Sequence, residues 1–277
     1  MLKHYIIMWL FLQYIYLLIM QQWSLLPHIR NWVTMSKIDF ITKRYSSRNF
    51  KDEAIKKSDL NLLMKAANSS PTSNNFLDSS AIFITDKKLK REIYNLSKFP
   101  DQEHIYKNAV LVVFVADQNR LRRAIKNYYD KEISMSIEKL EMNNLNNFMI
   151  AFGDAFIMAQ TTLLAAQELG YQTCYLGGFR YFGISKFLKE SLNLPNHVSP
   201  IVGLAIGKDK FDTLTKEHIN RCFINSYNQE QIDYENEIES ISINYENKET
   251  DYVKNAIRGL KRDYTSDFID DIKEWLK

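Results

Sequence analysis

The sequence predicts an α+β fold, and two kinds of segment carry the prediction. Residues 151–169 contain no proline and one glycine, and their apolar residues recur every three or four positions, which is typical of a helix. Because nearly all positions are apolar, we expect this helix to be buried on more than one side, in the core or at a subunit seam. Short apolar runs of strand length lie at 81–85, 109–116, 174–176 and 198–207.

The composition is that of a globular protein. The chain has 277 residues, of which 45% are hydrophobic and 25% charged, enough for one large domain with appendages. The formal net charge is only +3 and the basic residues are scattered, so no nucleic-acid partner is predicted. Cys174, Cys222 and the five histidines have no metal-ligand spacing. These features favour a reducing, cytoplasmic location without a disulfide scaffold or a metal site.

Residues 5–20 form an uncharged, strongly apolar stretch. It is shorter than the roughly 20 residues that span a bilayer, and no small-residue cleavage site follows it. Three interpretations stay open: a membrane anchor, a segment packed on the body or on a partner, or upstream sequence with Met35 as the working start. We favour the last, because Met35 opens a soluble domain. We therefore expect boundaries at 1–34, 35–228 and 229–277, and a membrane partner only if 1–34 are retained.

The first half of the chain continues with a basic cluster and a polar loop. After a short helix or turn at 38–43, the segment Arg44-Tyr45-Ser46-Ser47-Arg48 carries two arginines four positions apart. Guanidinium groups and hydroxyls suit a phosphate, although a solvated basic turn has the same composition. A helix capped near Ser58 and Asp59 is followed by a loop of small polar residues at 68–75 and by Phe76.

The second half alternates strands with helices. Gln102 and His104 precede the strand at 109–116, and the charged segment 118–147 has helical spacing and is interpreted as a cover over a substrate mouth or as a solvated surface helix. Gly170 stands where a helix C-cap glycine belongs. The strand at 174–176 ends in Gly177-Gly178, and the run 198–207 is apolar throughout, as in a central strand.

Taken in order, these motifs resemble the FMN-dependent nitroreductase family, and most closely its NADPH-preferring, oxygen-insensitive (group A) branch. They are R-x-S-x-R-x-F at 44–50, the polar loop with Phe-Leu, a strand, the helix with Ala159-Gln160, and Leu-Gly-Gly-Phe-Arg at 176–180. The likeness covers about residues 37–277. It implies a three-layer α/β/α sandwich with a central mixed sheet, a long buried dimer-interface helix, and a helical C-terminal extension that wraps the partner subunit.

The resemblance also implies the cofactor, FMN, with NADPH or NADH as electron donor, in a homodimer that holds FMN at its interface. Arg48 would stabilise the charge that forms on the flavin during reduction, so no side chain need act as a nucleophile. Phe76 and His104 would border the substrate. The implied FMN-binding residues are Arg44, Tyr45, Ser46, Arg48, Thr72, Ser73, Asn74, Gln102, Tyr175, Leu176, Gly177, Gly178, Arg180, Lys216 and His218.

Two departures from the family pattern put tight FMN binding in question. The family's Lys-Pro-Arg reads Lys216-Glu217-His218 here, which replaces a permanent cation with a group that titrates near neutrality. The glutamine expected after Phe-Leu is Asp78, and an acid is unfavourable beside an anionic flavin.

The leading hypothesis is therefore an oxidoreductase that moves two electrons by a ping-pong hydride mechanism from NAD(P)H to a nitroaromatic, a quinone or a flavin. A second hypothesis keeps the fold but changes the acceptor, for instance to flavin whose reduced form supplies another enzyme, or to the substrate of a dehalogenase-like step. A third is a degenerate family member that binds flavin weakly or not at all and serves as a binding or sensor module.

Overall fold

Each of the four apolar runs is a strand in the computed structural model, which describes residues 39–97, 101–132, 142–210, 221–227, 233–243, 252–261 and 267–277. The chain divides into two compact units after Arg44. The described part of the first unit is residues 39–44, and the second unit contains the sheet. The predicted boundaries at 34/35 and 228/229 stay predictions.

Helices and strands are interspersed along the described residues, with the first helix in the first unit and the later elements in the second. In chain order they are α1 (Asp39–Thr42), α2 (Lys57–Asn68), β1 (Ser79–Ile84), α3 (Lys87–Leu96), β2 (Val110–Asp117), α4 (Asn119–Glu132), α5 (Leu145–Glu168), β3 (Gln172–Leu176), α6 (Ile184–Ser191), β4 (Val198–Gly207), α7 (Tyr234–Ile243), α8 (Tyr252–Leu260) and α9 (Asp267–Trp275). Three 3₁₀ turns, Ser73–Asn75, Glu103–Ile105 and Gly177–Arg180, lie between them.

The strands form one sheet in the order β1-β2-β4-β3. All pairs are antiparallel, with Ile82 opposite Val113 and Val113 opposite Gly203 in register. The expectation of a mixed sheet is therefore wrong for the described strands. A local apolar run does not determine the direction in which a strand pairs. The only parallel pairing recorded among the described residues is an isolated bridge between Ser46 and Thr173.

The sheet lies between two helical layers. Alternate residues of β2 point to opposite faces: Val112 and Phe114 pack with α2 and α5, whereas Val113 and Val115 pack with α3 and α6. Every residue of β4 is buried, as its uninterrupted apolar sequence predicts. The predicted α+β, three-layer architecture is confirmed.

Helix α5 is the long apolar helix of the prediction, and it begins six residues earlier than expected. The Asn144 side chain caps it by accepting from the Asn147 backbone N–H at 2.8 Å. At the other end Gly170 has φ +71°, its N–H donates to the Gln167 carbonyl, and the Tyr171 N–H donates to the Ala166 carbonyl. These bonds form a Schellman motif, so Gly170 is the C-terminal cap that the sequence predicts.

By length and composition, α5 is also the one helix among the described segments that meets the criteria for a membrane span. Its residues Ala151, Ala155, Leu163 and Ala166 are almost completely buried within the chain's own core. A core helix of a folded domain meets the same criteria, so this finding is weak evidence for a membrane protein.

The caps of the shorter helices differ in one place from the prediction. Asp86 caps α3 by accepting from the Leu89 N–H at 2.7 Å. Helix α2, in contrast, has Lys56 at its N-cap position and no side-chain cap. Ser58 donates to its neighbour Asp59 instead, and Asp59 accepts a hydrogen bond from the Tyr171 hydroxyl at 2.7 Å, so a local bond and a tertiary contact occupy the two predicted caps.

Candidate functional site

A cavity of about 430 Å³ opens at the end of β3. Three segments of the second unit meet there: the residues around Arg48, the Glu103–Ile105 turn and the Gly177–Arg180 turn. The lining residues are Arg48, Ser97, Gln102, His104, Ile105, Cys174, Tyr175, Leu176, Gly177, Gly178, Phe179, Arg180, Tyr181, Phe182 and Ile184. This volume lies within the range of small-ligand sites, roughly 300–1,000 Å³.

Two glycines of β4 hold two of these segments against the sheet. A Cβ at Gly203 would lie 2.5 Å from Phe179 Cε2, and a Cβ at Gly207 would lie 2.9 Å from Phe50 Cδ1. Both positions must therefore be glycine for the rings to rest directly on the strand. Phe179 precedes Arg180 and Phe50 follows Arg48 by two residues. The ring contacts at the two glycines of β4 therefore anchor both arginine-bearing segments.

A buried polar group supports the third segment from behind. Lys90 on α3 is 2% exposed, and its Nζ donates to the carbonyl oxygen and to Oδ1 of Asn108 at 2.6 and 3.3 Å. Asn108 Nδ2 donates to the carbonyls of His104 and Ile105, both at 2.8 Å. Burial, with a smaller contribution from nearby Lys87, lowers the pKa of Lys90 to about 8. These bonds fix the turn that presents Gln102 and His104 to the cavity.

The glycine pair leaves open space at the cavity. Neither Gly177 nor Gly178 has a positive φ, so the backbone conformation does not demand glycine. A Cβ at Gly178 would meet no atom within 4 Å, and one at Gly177 would meet only Arg180 Nη2, at 4.0 Å. Since the protein itself does not fill this space, the backbone of the turn is accessible to a ligand in the cavity.

The cavity is cationic and rich in aromatic side chains. Arg48 and Arg180 line it, and no carboxylate is among the described residues that do so. Burial, and to a lesser extent the charge of Arg48, lowers the pKa of His104 to about 4, so this imidazole is neutral at pH 7. Its Nδ1 and the Nε of Arg180 are buried without a partner among the described residues. Such a site suits a flat, anionic ligand that accepts hydrogen bonds.

The structure brings together many of the residues that the family resemblance singles out. Those lining the cavity are Arg48, Gln102, His104, Tyr175, Leu176, Gly177, Gly178 and Arg180. Their roles toward a cofactor or substrate stay predictions.

Other predicted site residues do not line this cavity. Tyr45 donates its hydroxyl hydrogen to Asp209, and Ser46 pairs with Thr173 beside β3. Arg44 belongs to the first unit. Phe76 is half-buried just before β1. Lys216 and His218 lie outside the described residues.

The loop with Thr72, Ser73 and Asn74 is held on α5 and is not among the residues that line the cavity. Ser73 donates to Asp154 through its N–H at 2.9 Å and its hydroxyl at 3.3 Å. The Leu77 N–H donates to the Thr72 hydroxyl at 3.1 Å. The prediction that this loop reaches the cofactor of a neighbouring subunit stays a prediction.

Asp78, which the sequence places beside an anionic flavin, is not among the residues that line the cavity. It is 1% exposed and faces the buried carboxyl of Asp154. Burial, followed by the hydrogen bond and charge of Asp154, raises the pKa of Asp78 to about 7. The expected conflict between this acid and a ligand in the cavity is therefore absent from this subunit's site.

Several cavity residues were not predicted from the sequence. They are Ser97, Ile105, Cys174, Phe179, Tyr181, Phe182 and Ile184. The aromatic residues at 179, 181 and 182 directly follow the glycine pair, and this adjacency was the available signal. Ser97, at the end of α3, has no comparable signal in its local sequence.

A three-layer fold with a cationic, aromatic cavity beside a glycine-containing turn defines a protein that binds a flat, anionic small molecule. The chain belongs to the nitroreductase family, because residues 41–208 match that family's model. It is 29% identical over 235 residues to the FMN reductase (NADPH) of Bacillus subtilis strain 168, covering 84% of this chain and 89% of that protein. It is 28% identical over 222 residues to the FMN reductase [NAD(P)H] of the same organism, covering 80% of this chain and 84% of that protein.

A solved structure gives the same result for the fold. The NfrA1 nitroreductase from B. subtilis superposes with a TM-score of 0.72 at 26% sequence identity, covering 87% of this chain and 98% of that one. The predicted family, and with it the assignment to a family of NAD(P)H-dependent flavin and nitro oxidoreductases, is confirmed.

Proposed function

We propose that this protein is an FMN-dependent NAD(P)H oxidoreductase that reduces nitroaromatics, quinones or flavins by a ping-pong mechanism. The observation that carries the proposal is the cavity in which Arg48 and Arg180 meet the exposed backbone of Gly177 and Gly178. The FMN reductases of B. subtilis to which the chain is similar support the choice of cofactor and electron donor.

The residues of the cavity fit FMN by their chemistry. Two guanidinium groups complement an anion, and the aromatic side chains of Tyr175 and Phe182 suit a planar ring system. The unpartnered Nδ1 of His104 and Nε of Arg180 can bond a heteroatom-rich ligand. The open space at the glycine pair lets backbone N–H groups approach it.

When bound, FMN supplies the hydride chemistry, accepting two electrons from NAD(P)H and giving them to the acceptor. The chain's own contribution is position and charge. Arg48 and Arg180 line the cavity and would supply fixed positive charge toward the negative charge of reduced FMN. His104 is neutral near pH 7 and therefore offers hydrogen bonds without a third cation. Arg44, Ser46 and Lys216 remain the proposed phosphate ligands.

The proposal extends to assembly and location. We infer a homodimer with α5 at its seam, because Leu145, Met149 and Ile157 of this helix are 53%, 52% and 42% exposed on the isolated chain. The polar loop at 72–74 would then reach the second subunit's cofactor. We infer a cytoplasmic location from NAD(P)H as the electron donor and from a sequence with only two cysteines, Cys174 and Cys222.

The visible spectrum of the purified full-length chain tests the proposal. We expect flavin absorbance from the protein as purified, or after it has bound added FMN. Anaerobic NADPH or NADH should bleach this absorbance. A colourless protein that neither binds added FMN nor is reduced would favour the degenerate family member instead. Of the two residues that support that alternative, Asp78 faces away from the cavity and His218 lies outside the described residues. Turnover with nitrofurazone, menadione and free FMN would then identify the acceptor class.

A substitution of Arg48 in the cationic cavity provides a second, quantitative test. We expect Arg48→Gln to raise the Kd for FMN by about 10- to 150-fold, since a hydrogen bond to a charged group contributes about 1.5–3 kcal/mol. The matched control is Arg123→Gln on α4, an exposed arginine that does not line the cavity. Equal FMN affinity in both variants, measured by flavin fluorescence quenching, would remove Arg48 from the binding site.

A further inference from the structure

The guanidinium of Arg180 is enclosed by aromatic rings from separate parts of the chain. Its Cζ lies 5.3 Å from the ring centroid of Phe268, 5.6 Å from that of Phe152 and 5.7 Å from that of Tyr181. All three distances are within the roughly 6 Å over which a ring face attracts a cation. Phe152 belongs to the core helix α5, and Phe268 belongs to the C-terminal helix α9.

These rings leave the Nε–H donor of Arg180 unused. Cation–ring attraction acts through the ring faces and consumes no N–H donor. Consistent with this, the Nε of Arg180 is buried without a hydrogen-bond partner among the described residues, and Arg180 lines the cavity. The rings therefore hold the charged group in place while this donor stays unpaired within the described chain.

Phe268 is itself held firmly. Its ring centroid lies 5.9 Å from those of Phe148 and Phe152 in the core. At the end of α9, Trp275 is 1% exposed and its Nε1 donates to the Ser199 hydroxyl of β4 at 2.9 Å. The end of the chain is thus fixed to the central strand.

A partly buried ionic network fixes the middle of the same helix. Lys189 of α6 pairs with Asp271 at 2.5 Å and with Glu274 at 2.7 Å, and Ser185 donates to Asp271 at 2.5 Å. Asp271 is 5% exposed, so its charge is stabilised by these partners and not by water. Together with Trp275, this network determines where α9 presents Phe268.

We propose that Phe268 is a positioning residue for Arg180, and that the C-terminal helix is thereby a working part of the cofactor site. The inference rests on the proposed function in that Arg180 is taken to contact bound FMN. Nothing in the sequence pattern of the C-terminal segment predicts this role, because Phe268 and Arg180 are far apart along the chain.

A cation–ring role and a simple packing role differ in what replaces Phe268. Leucine fills much of the same apolar space without a ring face, whereas tyrosine and tryptophan retain the face. The test therefore measures FMN affinity of the full-length chain carrying Phe268→Leu, Phe268→Tyr or Phe268→Trp. Ile269→Ala, at a 53% exposed position on the same helix, is the matched control.

We expect Phe268→Leu to raise the Kd for FMN about fivefold, and at least one of the aromatic replacements to stay within about twofold of the wild type. In an Arg180→Gln background, Phe268→Leu should have little further effect, because its partner is already gone. Wild-type affinity in Phe268→Leu, equal loss in all three variants, or additive losses with Arg180→Gln would each overturn the proposal.

An NMR measurement separates this inference from the proposed function. The Nε–Hε resonance of Arg180 in the wild type should carry a ring-current shift that Phe268→Leu reduces and Ile269→Ala does not. If the wild type bound no FMN, the proposed function would fail, and the resonance would still decide whether Phe268 orders Arg180. An unchanged resonance in Phe268→Leu would overturn the inference even in a protein that binds FMN.

Discussion

Asp78 and Asp154 face each other in the core, where neither carboxyl group has access to water. The other charged groups nearby are Asp117 on β2, whose charge adds to the repulsion, and Arg120 on α4, which donates to the Leu77 carbonyl. Both oxygens of Asp78 lack a donor from any other described residue. Ionising two adjacent buried carboxyl groups is unfavourable because their charges repel each other away from water. The pair therefore retains a proton up to about pH 7.

This proton makes stability depend on pH. The pKa of Asp78 is raised in the folded state from 3.8 to about 7, so the folded state binds the proton more tightly than the unfolded state. The stabilisation that comes from the bound proton of Asp78 is complete below about pH 4 and is lost as the pH rises through 7. Asp78→Asn cannot ionise, and we expect it to stabilise the protein at pH 8 by about 1–3 kcal/mol, with little effect at pH 4.

Thermal unfolding between pH 4 and pH 9 measures this effect. Asp270→Asn, whose carboxylate is 71% exposed beside Lys273, is the control and should show no such trend. A difference between Asp78→Asn and the wild type that does not grow with pH would contradict the shared proton.

Individual residues of the site could be predicted from the sequence only where they belong to a recognisable motif. Arg48, Gln102, Gly177 and Arg180 lie in short motifs and line the cavity, and their contacts with FMN stay predictions. No local pattern connects Asp78 with Asp154, because their contact is created by the packing of β1 on α5. Lys90 is a second example, because lysine is rarely fully buried and nothing in the local sequence indicates that this one is 2% exposed.

At the scale of elements, β4 does most to organise the site. Its Gly203 lies under the ring of Phe179, and its Gly207 lies under that of Phe50. A strand interior normally disfavours glycine, since glycine packs poorly and loses more entropy on folding. The two close contacts explain why these positions tolerate that cost.

Gly203→Ala tests the anchoring of the Gly177–Arg180 turn. The new Cβ would lie 2.5–2.7 Å from two ring carbons of Phe179, so the ring must move and carry the turn with it. We expect a loss of about 1–3 kcal/mol in stability and weaker FMN binding. Combining it with Phe179→Leu should recover part of the loss, because the smaller side chain relieves the clash.

The matched control is Gly259→Ala on α8, where an added Cβ meets nothing within 4 Å. Alanine in a helix is favourable, so this variant should be as stable as the wild type or slightly more stable. If Gly203→Ala behaved like Gly259→Ala in both unfolding and FMN titration, the contact between Gly203 and the Phe179 ring would not position the turn.

Elements were predicted well where hydrophobicity alone determines them. The bounds of β4 agree with the prediction, since a fully buried strand needs an uninterrupted apolar run. The start of α5 was missed because Asn146 and Asn147 interrupt the apolar period, while the cap that begins the helix is a single asparagine. The antiparallel direction of every strand pair depends on contacts between distant segments, which a local pattern does not contain.

At the scale of the whole molecule, one face of α5 is only half covered by the described residues of its own chain. Leu145, Met149 and Ile157 are exposed along it, and Leu62 and Met64 of the adjacent α2 are 49% and 44% exposed. Apolar residues that recur along neighbouring helices form the kind of patch that marks a protein interface. Because the protein is proposed to bind FMN between two subunits, this surface is the place where a second copy would complete the site.

Met149→Glu tests that assembly. A carboxylate at the centre of an apolar seam would be desolvated without a partner, so we expect the variant to be monomeric where the wild type is a dimer. The monomer should also bind FMN more weakly, because the polar loop at 72–74 could no longer reach a neighbouring cofactor. Tyr128→Glu, which adds the same charge at a 54% exposed position on α4, should leave both properties unchanged. Light scattering gives the mass of each variant at several concentrations, and a Met149→Glu protein with the wild-type mass would show that this face of α5 is not the seam.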